Sequence, residues 1–110
     1  MPYTFDTALD DPDITVVDRN DDMGSYTIQV GSLQTHVRIE LGRFPNSNDT
    51  KFIVSHAINT PTQTGPYRTS RPWADYPEYA LHRAISGLTE YYRDAVKAGH
   101  NPKENWLVKY

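Results

Sequence analysis

The segment Thr64–Pro77, TGPYRTSRPWADYP, concentrates more chemically versatile side chains than any other stretch of this 110-residue chain. It holds three prolines, two arginines, two tyrosines and a tryptophan, without the spacing of a strand or a helix. Proline fixes its own φ angle and restricts the residue before it, so the segment should be stiff. A stiff segment loses less entropy when a partner orders it, and arginine, tyrosine and tryptophan dominate binding hot spots.

We therefore expect a partner-binding surface in the loop 59–75 and at the start of the helix that follows it. Long loops inside small domains are usually functional or disordered, and this composition is not that of a flexible linker. The residues assigned to this surface are Tyr67, Arg68, Arg71, Trp73, Tyr76 and Tyr79.

The same loop residues allow two other interpretations. Tyr67 and Trp73 could close one end of the core, with the arginines paired to nearby carboxylates. Arg68 and Arg71 stand three residues apart and could instead hold a phosphate or carboxylate through paired hydrogen bonds.

A second candidate surface is the polar side of the predicted strand Leu33–Leu41. Polar and apolar residues alternate there, which is typical of a strand with one buried and one wet face. A histidine beside an arginine and a carboxylate could carry acid–base chemistry, although such a row is also common on ordinary solvated sheets. The row lacks the aromatic rings on which RNA bases stack. Its members are Gln34, His36, Arg38 and Glu40.

No complete catalytic or metal-binding motif occurs in the sequence. The chain has no cysteine, and Ser55-His56 lies outside any Gly-x-Ser-x-Gly motif. Glu78 and His82 stand four residues apart on the predicted helix, a spacing that suits a surface hydrogen bond as well as a metal. We expect no metal and no cofactor, assign no catalytic residue, and favour binding over catalysis.

Charge is distributed unevenly along the chain, whose net charge is −3. Residues 1–22 hold seven aspartates and one arginine, a formal charge of −6, so residues 23–110 carry +3. We interpret residues 1–22 as an acidic N-terminal segment with an edge strand at Ile14–Val17, and residues 23–110 as a single α+β domain. The net acidity argues against a dedicated nucleic-acid binder.

Alternating apolar residues predict a hairpin and a third strand. The strands Ser25–Val30 and Leu33–Leu41 are separated by Gly31-Ser32, which suits a two-residue turn. This turn places Val30 opposite Leu33, Ile28 opposite Thr35 and Tyr26 opposite Val37. The third strand is expected over Lys51–Ile58.

One long helix and a last strand complete the prediction. Asp75 suits the N-cap, Pro77 the first turn, and Glu78 a capping box, while Gly99 suits the helix end. A short strand is expected over Trp106–Tyr110. The predicted fold is α+β: an antiparallel sheet of about four strands in β-β-β-α-β order, with the helix packed on one face.

These features predict a cytoplasmic protein, because no apolar run is long enough for a membrane span and residues 1–8 do not resemble a signal peptide. Its predicted function is stoichiometric binding of another protein or of a second copy of the chain, as by an adaptor or inhibitor. The first alternative is a small anionic-ligand binder or enzyme that uses Arg68, Arg71 and the polar sheet face. The second is a weak nucleic-acid binder.

Overall fold

The computed structural model describes residues 2–110, in which a single long helix packs across an antiparallel sheet. The α+β class predicted from the sequence is confirmed. The elements in chain order are α1 (Phe5–Ala8), β1 (Ile14–Asn20), β2 (Ser25–Val30), β3 (Val37–Arg43), β4 (Thr50–Val54), β5 (His56–Ile58), β6 (Trp73–Ala74), α2 (Pro77–Lys97), a 3-10 helix (Glu104–Trp106) and β7 (Leu107–Lys109).

The main sheet has five strands in the order β1-β2-β3-β4-β6, all antiparallel to their neighbours. The predicted edge strand is confirmed as β1, and it extends to Asn20. The predicted last strand also exists, as β7, but it pairs with β5 in a separate two-stranded sheet. The two borders of the main sheet are therefore β1 and the very short β6.

The core lies between the sheet and α2. Alternation along β2 and β3 buries every second residue on the helix side, and α2 contributes an apolar stripe at helical spacing. The opposite side of the sheet, here called the outer face, exposes Glu40, Lys51 and Ile53. Among residues 2–110, no helix combines the length and apolarity needed to cross a bilayer.

The register predicted for the β2–β3 hairpin is wrong by two residues. Tyr26 pairs with Ile39 and Ile28 with Val37, so the same faces stay buried but the connection is longer than two residues. The Glu104 carboxylate accepts hydrogen bonds from the backbone N–H groups of Gln34 and Thr35 at 2.9–3.0 Å. This carboxylate, about seventy residues away in sequence, holds Gln34 and Thr35 outside the β2–β3 ladder.

The strand predicted over Lys51–Ile58 is divided into β4 and β5 at Ser55. The Ser55 backbone N–H donates to the Arg38 carbonyl at 2.9 Å, and the Ser55 hydroxyl accepts from the Arg38 N–H at 2.8 Å. These two bonds join Ser55 to β3 while the following residues leave to pair with β7. The division places His56 beside α2 instead of continuing the main sheet.

Helix α2 begins one residue later than predicted at its N-cap. Tyr76 is the N-cap, with extended backbone and no side-chain capping hydrogen bond, so the predicted capping box is wrong, while Pro77 lies in the first turn as expected. Asp75 is displaced from the cap because β6 keeps the chain extended up to this point. The predicted end is confirmed, because Gly99 follows the C-cap residue Ala98 with a φ of +92°.

Candidate functional site

A cavity of about 300 Å³ opens between α2, the strands β4 and β5, and the loop 59–75. This volume is at the lower end of the range found for ligand sites. Apolar residues form its floor, including Phe52, Val54, Ala84 and Leu88. Its walls contain five tyrosines, namely Tyr3, Tyr67, Tyr79, Tyr91 and Tyr110.

One wall of the cavity is a face of α2 next to the core stripe. Residues three or four apart on a helix lie on the same side, which aligns Tyr79, His82, Ser86 and Glu90. The core stripe itself runs through neighbouring positions such as Leu81, Ile85 and Leu88. The helix thus buries one side and offers an aromatic and polar side to the cavity.

The first aromatic group of the cavity is a stack that involves the N-terminal segment. The Tyr3 ring lies 4.1 Å from the His82 ring and 5.6 Å from the Tyr79 ring, nearly parallel to both. The Tyr3 backbone N–H donates to the Tyr76 hydroxyl at 3.4 Å. Residues more than seventy positions apart in sequence therefore form one wall.

The second aromatic group comes from the loop. The Tyr67 ring lies 4.8 Å from the Tyr91 ring, and such pairs contribute about 0.5–1.5 kcal/mol beyond burial alone. Tyr67 also lies against Gly87, where an added Cβ would come within 3.2 Å of the tyrosine ring. A glycine at this helical position lets the loop approach closely.

Two histidines provide uncharged polar groups in the cavity. Burial lowers the pKa of His82, and burial together with Lys109 lowers the pKa of His56, so both imidazoles are neutral at pH 7. His82 Nε2 lies 3.3 Å from the Ser86 hydroxyl, and His56 Nδ1 lies 2.7 Å from the Ser55 hydroxyl. These groups can exchange hydrogen bonds with an occupant, and the charged residues that line the cavity are Arg83 and Glu90.

The predicted loop residues separate into two places. Tyr67 and Tyr79 line the cavity, and Tyr76 packs beside Tyr79 with ring centroids 5.7 Å apart. Arg68 turns away from the cavity floor toward β7. Its guanidinium donates to the carbonyls of Lys109 and Tyr110 at 3.1 and 3.2 Å and lies 5.6 Å from the Tyr110 ring centre.

Arg71 and Trp73 lie at the β6 border of the main sheet. The Trp73 ring meets the Phe44 ring edge-on at 6.3 Å, and the Arg71 guanidinium lies 5.8 Å from the Trp73 ring centre. The Lys51 ammonium lies 6.0 Å from the Phe44 ring centre. These four residues, Phe44, Lys51, Arg71 and Trp73, are called the edge cluster below.

The alternative in which Tyr67 and Trp73 close one end of the core does not fit the positions of these residues. Tyr67 is 37% exposed, and Trp73 is half-buried at the sheet border, so neither belongs to the core. Within residues 2–110, neither Arg68 nor Arg71 has an aspartate or glutamate carboxylate within 4 Å. Both arginines are instead engaged with carbonyls and aromatic rings.

The polar row predicted for the second strand is only partly formed. Arg38 and Glu40 lie on the outer face of β3 and form an exposed ion pair at 3.2 Å. Gln34 and His36 precede β3, in the connection held by Glu104. Of the four residues, two therefore lie on β3, and the strand predicted over Leu33–Leu41 begins four residues later, at Val37.

Sequence reasoning missed Tyr3 and Ser86 as cavity residues and Phe44 as the neighbour of Trp73. The helical spacing of Tyr79, His82 and Ser86 could have indicated that Ser86 lies in the cavity. The positions of Tyr3 and Phe44 depend on long-range contacts. In the described part of the chain, no group of three or more histidine or acidic side chains is arranged to hold a metal ion. Compared with protein-family models, with curated proteins and with solved structures, the chain matches none of them.

Proposed function

We propose that this protein binds a partner protein, and that the partner inserts one large aromatic or aliphatic side chain into the cavity beside α2. The observation that carries this proposal is the cavity itself, which combines an apolar floor with aromatic walls, one of them supplied by the exposed loop. Hot spots of protein interfaces are typically such desolvated pockets filled by one anchor residue.

The chemistry of the cavity favours an uncharged anchor. An aromatic side chain would bury about 150–250 Å² and could stack on the tyrosine and histidine rings. The neutral imidazole of His82 and the Ser86 hydroxyl offer hydrogen bonds to a phenol or an indole N–H. A charged anchor would lose its hydration against an apolar floor, which is costly.

The loop is ordered before any partner arrives, which supports a binding role. The Tyr67 N–H donates to the Ile58 carbonyl at 3.0 Å, and the Gln63 amide donates to the carbonyls of Ile58 and Gly65 at 3.0 and 3.2 Å. Arg68 fastens the other side of the loop to β7. Less conformational entropy is then lost on association.

The test is selection of peptides from a random displayed library on the wild-type protein. Enriched peptides are expected to share one large aromatic or aliphatic residue. Its replacement by alanine in the synthetic peptide should weaken binding at least about tenfold, as for other hot-spot residues. Fluorescence anisotropy of the labelled peptide provides the affinity.

A matched pair of variants locates the binding site. Ser86→Phe fills the cavity from α2 and should abolish peptide binding, whereas Asn101→Phe adds the same ring at an exposed position beyond the helix and should leave it unchanged. Peptides that bind Ser86→Phe as well as wild type would contradict the proposal. Equal melting temperatures for the two variants would show that the loss is local.

A second candidate is a small uncharged aromatic ligand, favoured by the closeness of two neutral histidines to an apolar floor. Indole and p-cresol would be the probes, with amide chemical shifts of α2 and the loop as the readout. Binding of these probes without any selected peptide would favour this candidate. An anionic ligand held by Arg68 and Arg71 has less support, because neither arginine lines the cavity.

A further inference from the structure

We infer that the outer face of the sheet, at its β6 border, binds single-stranded nucleic acid through the edge cluster. This site is separate from the cavity and does not depend on the partner proposed for it. It combines two aromatic rings with two cations. Proteins that bind single strands use such rings to stack on bases and such cations to contact phosphates.

The strand register creates this combination. Trp73 pairs directly with Lys51, and residues opposite each other in a sheet share a face, so both project from the outer face. Hydrogen bonds fix the backbone of Trp73 on both sides. Its N–H donates to the Arg71 carbonyl at 2.8 Å, and its carbonyl accepts from the Arg83 guanidinium at 2.7 Å. The aromatic platform is therefore ordered without a ligand.

Seven of the fourteen acidic residues lie in residues 1–22, within or next to β1, while Asp49 and Asp75 directly flank β4 and β6. Asp6 and Asp21 pair with Arg19 of β1 at 2.7 and 2.9 Å, and Asp11 and Asp13 pair with Arg93 of α2. β1 and β6 are opposite borders of the sheet.

The cations of the edge cluster are available to an anionic ligand. Of the described residues, none offers Lys51 or Arg71 a carboxylate within 4 Å. An acidic peptide could use these charges but would stack on Trp73 and Phe44 only where it also carries aromatic side chains, whereas every nucleotide carries a flat base. Bases in a duplex are stacked on one another, so the half-exposed rings of Trp73 and Phe44 suit unpaired bases.

The experiment measures anisotropy of a fluorescein-labelled oligothymidylate of about 15 nucleotides, a length within the usual site sizes of such surfaces. Two phosphate contacts predict that log K falls with log salt with a slope of about −1.4. Binding should also quench Trp73 fluorescence, while Trp106, only 3% exposed, gives a constant background.

Charge-matched variants separate this site from general attraction to polyanions. Lys51→Gln/Arg71→Gln should weaken binding at least about tenfold, whereas Lys97→Gln/Lys103→Gln removes the same charge from distant exposed positions and should change it little. Trp73→Leu keeps the charges and should weaken binding about tenfold through lost stacking.

Several results would overturn the inference. These are equal losses in the two charge variants, no binding even at about 50 mM salt, or unchanged binding by Trp73→Leu. Equal competition by a duplex of the same length would exclude recognition of unpaired bases. Binding of poly-glutamate but not of the oligonucleotide would assign the cations to an acidic protein.

Discussion

The cavity and the edge cluster are both built around aromatic residues of one loop, yet they differ in charge and hydration. Tyr67 enters the cavity, where the neighbouring histidines are neutral because burial lowers the pKa of each. Trp73, six residues later, lies beside the cations Lys51 and Arg71 on the outer face. Residue types alone would not distinguish these two environments.

The difference arises from which side of the sheet each ring reaches. The helix side is partly desolvated by α2, and its polar groups are mainly tyrosine, histidine and serine, with Arg83 and Glu90 also lining the cavity. The outer face stays hydrated, so lysine and arginine remain charged there at little cost. Because Trp73 of β6 pairs with Lys51, its side chain projects from the outer face. The chain then enters α2 at Pro77.

The largest expected contrast between the two sides is in stability. Leu88→Ala removes a side chain that is 3% exposed beneath the cavity and should lower the free energy of unfolding by about 2–5 kcal/mol. Ile53→Ala truncates a residue that is 59% exposed on the outer face and should change it by about 0.5 kcal/mol or less. Urea denaturation of both variants gives the comparison, and equal losses would mean that the outer face is covered in solution.

An intermediate contrast concerns charge at the two borders. Asp11 accepts hydrogen bonds from the fully buried Thr89 at 2.9 Å and from Arg93 at 3.1 Å. Asp11→Ala should therefore cost about 1–3 kcal/mol, because Thr89 loses its partner. Lys51→Ala should cost about 0.5 kcal/mol or less, because this exposed lysine has no ion-pair partner among residues 2–110.

Urea denaturation at two salt concentrations measures these two changes. The loss in Asp11→Ala should persist at high salt, since its hydrogen bonds are partly buried and weakly screened. A loss in Lys51→Ala as large as that in Asp11→Ala would contradict the view that the edge cluster is kept for binding rather than for folding.

Much of the fold could be predicted from the sequence because it depends on local patterns. Alternation along Ser25–Val30, the apolar stripe of α2 and the glycine after its end each act within a few residues, and all three are observed. The β2–β3 register was wrong because the connection between the two strands is six residues long, and part of it is hydrogen-bonded to Glu104, about seventy residues away. Gly31 also depends on a residue distant in sequence, because an added Cβ at this position would lie 2.1 Å from the Tyr92 ring.

The candidate site was only partly predictable for the same reason. Composition drew attention to the loop 59–75, and two of the six residues assigned to the binding surface, Tyr67 and Tyr79, line the cavity. Composition could not show that Arg68 binds the carbonyls of β7, or that Tyr3 stacks on His82. Both contacts join residues more than forty positions apart, which a local pattern does not encode.

The smallest expected effect is a pH dependence confined to the cavity side. Burial lowers the pKa of His56 and His82 below the ordinary histidine value of 6.5, so the unfolded chain takes up protons at a higher pH than the folded one. Stability should therefore be full above about pH 7 and fall as the pH decreases below 6.5 toward the lowered pKa values. The pKa values of the carboxylates of Asp21 and Glu104 are also lowered, so these groups titrate at a more acidic pH, outside this range.

Urea denaturation between about pH 5 and pH 8 tests this dependence, since the window lies just below the ordinary histidine pKa. His56→Gln/His82→Gln should lose less stability on acidification than wild type, while His36→Gln/His100→Gln, at two exposed positions, should follow wild type. Oligonucleotide binding by the edge cluster should change little over the same range, because lysine and arginine keep their charge there. A slope that is unchanged in the cavity variant would show that the two histidines are as well hydrated as the outer face, and the contrast between the two regions would then rest on shape alone.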